Sequence, residues 1–161
     1  MEKKPSAPDR YEALLQLLRA ANAIWDTSRV FFERWELSPS QFNILNLLRT
    51  TPHGLSQTEV SKQLLTHRSN VTGLIDRLER RRLVRRTNAD EDRRAYRVIL
   101  TARGAKLLKS ILPHYHEEAN HVWDGVSDQR IAALLDALEH VKRNASRVIL
   151  KLPAKQKPKV P

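Results

Sequence analysis

The apolar positions of this chain recur mostly at steps of three and four. From residue 11 to 36, Leu14, Leu15, Leu18, Ala21, Trp25, Ser28, Phe32 and Trp35 fall on one stripe, which predicts a long amphipathic helix. Ser38-Pro39-Ser40-Gln41 then reads as a helix start: Ser38 caps, Pro39 suits the first helical position, and Gln41 completes a capping box. Phe42, Leu45, Leu48 and Leu47 supply its buried face, and Pro52-His53-Gly54 breaks it. Ser56-Gln57-Thr58-Glu59 is a second capping box, opening a short helix to about Leu65 that buries Val60 and Leu64. A third helix follows at once, capped by Thr66 or His67 and running to about Arg81. It turns Val71, Leu74, Ile75 and Leu78 inward, leaving Arg68, Ser69, Asn70, Thr72, Gly73 and Arg77 on the other face.

The period then changes. Residues 83–86 and 95–100 read as two short strands, with the polar stretch 87–94 as the turn of a hairpin. Thr101 caps a helix from Ala102 to about Trp123, interrupted at Pro113, and Asp124-Gly125 ends it. Ser127 or Asp128 opens a last helix through Ile149, with Ile131, Leu134, Leu135, Leu138, Val141 and Val148 on one face. Two helices joined by a tight turn and followed by a hairpin describe a winged helix-turn-helix. The expected fold is mainly α with a small β-hairpin wing. The winged lobe covers residues 38–101, a helical dimerisation region covers 10–36 and 102–150, and 1–9 and 151–161 are expected to be disordered tails. The outer helices carry more apolar stripe than one lobe can cover; a second copy of the chain would cover it.

Composition narrows the function. The 161 residues carry a net charge of +11, unevenly placed. Residues 62–97 hold eleven basic and five acidic side chains, and 151–161 hold four lysines and no acid, whereas residues 1–61 are neutral. A basic block of this kind points to a polyanion, most often nucleic acid. There is no Cys, which excludes disulfides, thiolate metal sites and thiol redox sensing. No apolar run approaches the ~18 residues of a membrane span, and no apolar stretch follows the N-terminal lysines; the expected location is cytoplasmic. The four glycines lie at least nineteen residues apart, so no phosphate-cradling loop can form, and there is no nucleophile elbow or His-Glu-x-x-His. No enzyme, catalytic residue or cofactor is expected. His114, His116, Glu117, Glu118 and His121 cluster on one helix, but a metal site needs a second element to complete it, so they read as surface residues.

The second helix of a winged motif enters the DNA major groove by its N-terminal end. Here that end holds Arg68, Ser69, Asn70, Thr72 and Gly73. Arg can pair with guanine, Asn with adenine, and Thr with a thymine methyl, while the bare Gly73 lets the backbone approach; a plain surface helix tolerates the same residues. In Asp90-Glu91-Asp92-Arg93-Arg94 a carboxylate can hold a guanidinium in one orientation, as suits an Arg inserted into a narrow minor groove; a solvated turn with weak ion pairs is the plainer reading.

The run from Leu64 to Arg80, Leu-Leu-Thr-His-Arg-Ser-Asn-Val-Thr-Gly-Leu-Ile-Asp-Arg-Leu-Glu-Arg, resembles the recognition helix of the MarR family of bacterial transcription regulators. The run from Asp92 to Gly104 is similar to that family's wing, Asp-x-Arg followed by Leu-Thr-x-x-Gly. The resemblance covers about residues 10–150. It implies a homodimer, mostly a repressor, on pseudopalindromic double-stranded DNA, with the first and last two helices at the dimer interface. By motif, Arg94 is the wing-tip minor-groove residue and Asp92 its orienting partner, beside Arg93. Arg68, Ser69, Asn70, Thr72 and Arg77 face the major groove, and Arg85 and Arg86 meet phosphates. Many members release DNA when a small aromatic acid binds; Trp25, Phe31, Phe32, Trp35 and Phe42 could line such a pocket, or serve as plain core. The family usually has Gly where this chain has Arg82. Either the helix ends differently here or Arg82 takes a left-handed conformation at roughly 1 kcal/mol. The alternative of another class is a basic helical RNA-binding or ribosome-associated protein.

Overall fold

A computed structural model describes residues 9–64, 71–89 and 92–151, with backbone alone at 89, 92–95 and 149–151. The elements are α1 (Arg10–Glu33), α2 (Pro39–Arg49), β1 (Leu55–Ser56), α3 (Gln57–Gln63), α4 (Val71–Arg80), β2 (Val84–Ala89), β3 (Asp92–Leu100), α5 (Ala102–Val122) and α6 (Asp128–Lys151). This is a mainly helical winged helix-turn-helix fold with one small antiparallel sheet.

Local chemistry sets the helix ends. Asp9 caps α1 by accepting from the Tyr11 amide at 2.9 Å. Both expected capping boxes are present. The Ser38 amide donates to Gln41 at 2.8 Å while the Gln41 amide donates to the Ser38 hydroxyl at 3.2 Å, and Pro39 occupies the first turn. Ser56 and Glu59 repeat the arrangement at 2.7 and 3.2 Å. The caps expected at Thr66 or His67 lie outside the described residues.

Helix α1 stops at Glu33, three residues before its expected end at 36 and two before Trp35, the last position of its apolar stripe. Glu36 adopts φ 53°, its amide donates to Glu33, and the amide of buried Leu37 returns to Phe32. Helix α4 ends in the same way. Arg82 adopts φ 57°, its amide donates to Glu79, and Leu83 returns to Leu78. Of the two endings open to Arg82, the chain takes the left-handed one. Burying Leu83 at 2 % exposure outweighs a backbone strain of about 1 kcal/mol.

The sheet has the order β1-β3-β2. The hairpin strands are longer than expected, with β2 running on to Ala89 and β3 beginning at Asp92. The two-residue β1 is an addition that apolar periodicity could not signal: Leu55 opposes Val98 and Ser56 opposes Arg97. Gly54 makes that pairing possible. It sits at φ 72°, and a Cβ there would lie 2.4 Å from Ile99 and 2.5 Å from the Val98 carbonyl.

The chain gathers into two compact units, one ending at Pro113 and the other beginning at His114. In the first, Phe32, Phe42, Ile44, Leu45, Ile75, Leu78, Val98 and Ile111 form a core with at most 1 % exposure. Ile44 was not foreseen there, and Leu47, Leu64 and Leu74 are only half-buried. Thr101 caps α5 by accepting from the Gly104 amide at 3.0 Å, and its hydroxyl also reaches the Leu83 carbonyl. Tyr11, Leu14, Leu18, Ile24 and Val30 on α1 are exposed. The second unit holds the rest of α5, which continues through Pro113, and α6, on which Leu134, Leu135, Val141 and Val148 are exposed.

Candidate nucleic-acid interface

Helix α4 is two-faced. Val71, Ile75 and Leu78 are buried, while Thr72, Arg77 and Arg80 are exposed and Gly73 is half-buried. The spacing of three and four that buries one set turns the other outward. Arg68, Ser69 and Asn70, expected at the entering end, lie outside the described residues. Asp92, Arg93 and Arg94 start β3, where the backbone alone is described.

Arg85 and Arg86 were expected to serve alike, but they alternate across β2, and the structure separates them. Arg85 is exposed. Arg86 is turned against α4, where its guanidinium meets Asp76 at 2.5 Å and also pairs with Glu79. Its amide donates to Glu79 Oε1 at 2.8 Å, and its Cζ lies 5.1 Å from the centroid of the Tyr96 ring. The Asp76 hydrogen bond, foremost, raises the guanidinium's pKa against the opposing effect of burial. With both carboxylates bound to it, Arg86 ties the wing to the back of α4, and Arg85 presents its charge outward.

A second tie runs in front. The Tyr96 hydroxyl donates to Gln57 Oε1 at 2.6 Å, and Gln57 Nε2 donates to the hydroxyl of Thr72. One short chain of side chains thus joins β3, the start of α3 and the first turn of α4. Arg97, the next residue of β3, braces the β1 edge of the sheet, donating to the Gly54 carbonyl at 2.8 Å and the His53 carbonyl at 3.0 Å, with Glu59 at 3.5 Å. Gln57, Asp76, Glu79 and Tyr96 were not foreseen in these roles. Their partners lie seven to thirty-nine residues away in sequence, so no local period marks them.

The five aromatic candidates divide. Phe32 and Phe42 are stacked with centroids 4.3 Å apart, each 1 % exposed, and belong to the core. Phe31 is also buried, while Trp25 and Trp35 are half-buried. The Arg34 guanidinium lies 4.5 Å from the Phe31 centroid and 4.8 Å from that of Trp35. None of the five lines the open depression between α2 and the end of α4, which is bounded by Glu36, Ser38, Gln41, Arg77, Arg80 and Arg81. Among the described residues no three His, Asp or Glu side chains come together as metal ligands, and no helix is long and apolar enough to cross a membrane.

Comparison with known proteins agrees with this geometry. A family model described as MarR family matches residues 35–95. The chain is 31% identical over 123 residues to the HTH-type transcriptional regulator PrsX of Escherichia coli, covering 75% of this chain and 74% of that protein. It is 31% identical over 119 residues to the HTH-type transcriptional repressor YetL of Bacillus subtilis, covering 73% and 71%. Among solved structures, Bordetella bronchiseptica BpsR, whose DNA binding is regulated by 6-hydroxynicotinic acid, superposes with a TM-score of 0.72 at 23% identity, covering 87% of this chain and 98% of that one. A polar-faced α4 braced against a hairpin wing, in a chain this similar over most of its length, has one reading: the protein belongs to the MarR family of winged helix-turn-helix transcription regulators.

Proposed function

We propose that the protein is a homodimeric, sequence-specific repressor on pseudopalindromic double-stranded DNA. The observation that carries this reading is the outward polar face of α4, with Thr72 and Arg77, held by Arg86 beside a hairpin that presents Arg85. A helix so placed fits the major groove of B-form DNA, whereas the deep, narrow major groove of duplex RNA would not admit it. Arg68, Ser69, Asn70 and Gly73 complete the groove-facing set, and Arg94, oriented by Asp92 and flanked by Arg93, enters the minor groove. The exposed apolar residues of α1 and of α6 give each unit a face for a second copy, and the repressor YetL supports the sense of regulation. Two lobes would then read half-sites about 34–36 Å apart. Gel shifts with the DNA upstream of the protein's own gene, against scrambled DNA and RNA of equal length, test this. Binding to the first alone is expected, and equal affinity for all three would overturn it.

An aromatic acid would release the DNA by favouring a different spacing of the lobes. Support comes from Arg34 lying against Phe31 and half-buried Trp35, a cation beside aromatic surface, and from the similarity to BpsR. Trp25 would extend that surface, whereas Phe32 and Phe42 shape it from within the core. A thermal-shift screen of aromatic carboxylates tests it, and no shift with any of them would leave these residues as core.

A further inference from the structure

Thr72 is exposed on the first turn of α4, yet its hydroxyl oxygen is already engaged from within the protein by Gln57 Nε2. A glutamine amide has one accepting end and one donating end. Tyr96 decides which end faces Thr72. Its hydroxyl lies 2.6 Å from Gln57 Oε1, and the Arg86 guanidinium 5.1 Å from its ring makes the phenol the better donor. With the phenol proton given to Oε1, the amide N–H is left for Thr72. Gln57 is the first residue of α3, its backbone set by the Ser56–Glu59 capping box, and its half-buried amide is engaged at both ends, by Tyr96 and by Thr72.

A threonine that accepts an internal hydrogen bond keeps its own proton for an outside acceptor. In the major groove the acceptors are guanine N7 and O6, adenine N7 and thymine O4, while cytosine offers only its amino donor. We propose that Gln57 and Tyr96 are positioning residues for base reading: by engaging Thr72 Oγ1 they make Thr72 a hydrogen-bond donor, which disfavours cytosine at the base it faces. Neither residue need touch the DNA. The inference deepens the proposed DNA reading and rests on it.

The test is selection from duplexes randomised over both half-sites, using the full chain, with the enriched pools sequenced. Thr72→Val marks the base position that Thr72 reads. Tyr96→Phe keeps the ring beside Arg86 and removes the phenol proton, and it is expected to relax the preference at that position about threefold or more, close to the worth of one hydrogen bond. Gln57→Glu accepts from both Tyr96 and Thr72, so the Thr72 link alone reverses and the Thr72 oxygen is left to accept, and the variant is expected to move that position toward cytosine. An acidic residue suits the first turn of a helix, so this variant keeps the fold even if Tyr96→Phe does not. Unchanged motifs, or affinity lowered alike for every sequence, would overturn the proposal and leave DNA reading intact. A wild-type chain that enriches no duplex motif would overturn the DNA reading itself.

Discussion

Arg81 reaches back across 45 residues of sequence to donate to the carbonyl of Glu36, the residue that ends α1 in a left-handed turn. The same guanidinium donates to the Trp35 carbonyl at 3.0 Å and lies 3.5 Å from the Glu36 carboxylate. The residue after α4 thus closes the end of α1, so the helix expected to read DNA and the one expected to meet a second copy are joined at their C-termini. Arg81→Ala removes the donor from two carbonyls that water can partly reach. It should destabilise the first unit by about 1 kcal/mol in chemical denaturation, most of it from the carbonyls rather than the exposed ion pair. Arg82→Gly should act oppositely, relieving left-handed strain for a gain of roughly 0.5–1 kcal/mol. A loss of stability in that variant would mean that the Arg82 side chain contributes more than its backbone costs.

Arg85 and Arg86 are adjacent but should respond differently to removal. Arg86→Ala leaves Asp76 and Glu79 facing each other without their cation and should destabilise the fold by roughly 1–3 kcal/mol. Arg85→Ala should leave the denaturation midpoint unchanged and lower the slope of log affinity for DNA against log salt by about 1. If both variants alter the salt slope and neither alters stability, the separation of roles across β2 is wrong.

Gly104 lies inside a helix, where replacing Gly by Ala ordinarily gains up to about 1 kcal/mol. Here a Cβ would fall 2.1 Å from the Leu83 carbonyl oxygen and 2.8 Å from a Leu100 methyl. Backbone cannot give way as a side chain can, so Gly104→Ala should destabilise by about 1–3 kcal/mol. A rise in thermal midpoint would show that α5 does not approach the end of α4 this closely.

The α3 cap should be sensitive to acid. Hydrogen bonding from the Ser56 backbone, foremost, and from its hydroxyl holds the Glu59 carboxyl below its ordinary range, helped by Arg97. A carboxylate with a lowered folded pKa contributes its full stabilisation above the ordinary carboxylate pKa and loses it as pH falls through the lowered value. The protection of the Ser56 amide, its NMR exchange rate taken relative to the intrinsic rate at each pH, should fall as pH falls through that window. Glu59→Gln can still accept from Ser56 without titrating and should flatten the response. Identical pH profiles for the two proteins would count against a titrating cap.

Much was legible in the residues because it is local. Ser38 with Gln41 and Ser56 with Glu59 satisfy orphan amides three residues away, so their spacing alone announces two helix starts. The stripe of Val71, Ile75 and Leu78 announces the buried side of α4, and by default its polar side. The recognition and wing motifs named the family, since they record those local constraints together. The stripe of α1 misjudged its own end, because Trp35 continues the pattern although α1 has stopped at Glu33 and the chain turns at Glu36 to bury Leu37.

What the residues could not disclose depends on distance through space. Strand β1 exists only because Gly54 lets Leu55 come against Val98. Arg85 and Arg86 are equivalent as letters; the pleat of β2 sends one to solvent and the other to Asp76 and Glu79. Gln57 looks like an ordinary first-turn residue until Tyr96 and Thr72 are brought to either end of its amide. Capping and periodicity act within a few residues, so the helices, the hairpin, the polar face of α4 and the family could be read along the chain, whereas β1 could not. Tertiary structure decided which cations remain outward and which side chains orient them, because hydrogen bonds and ion pairs form wherever packing brings their partners within about 3 Å.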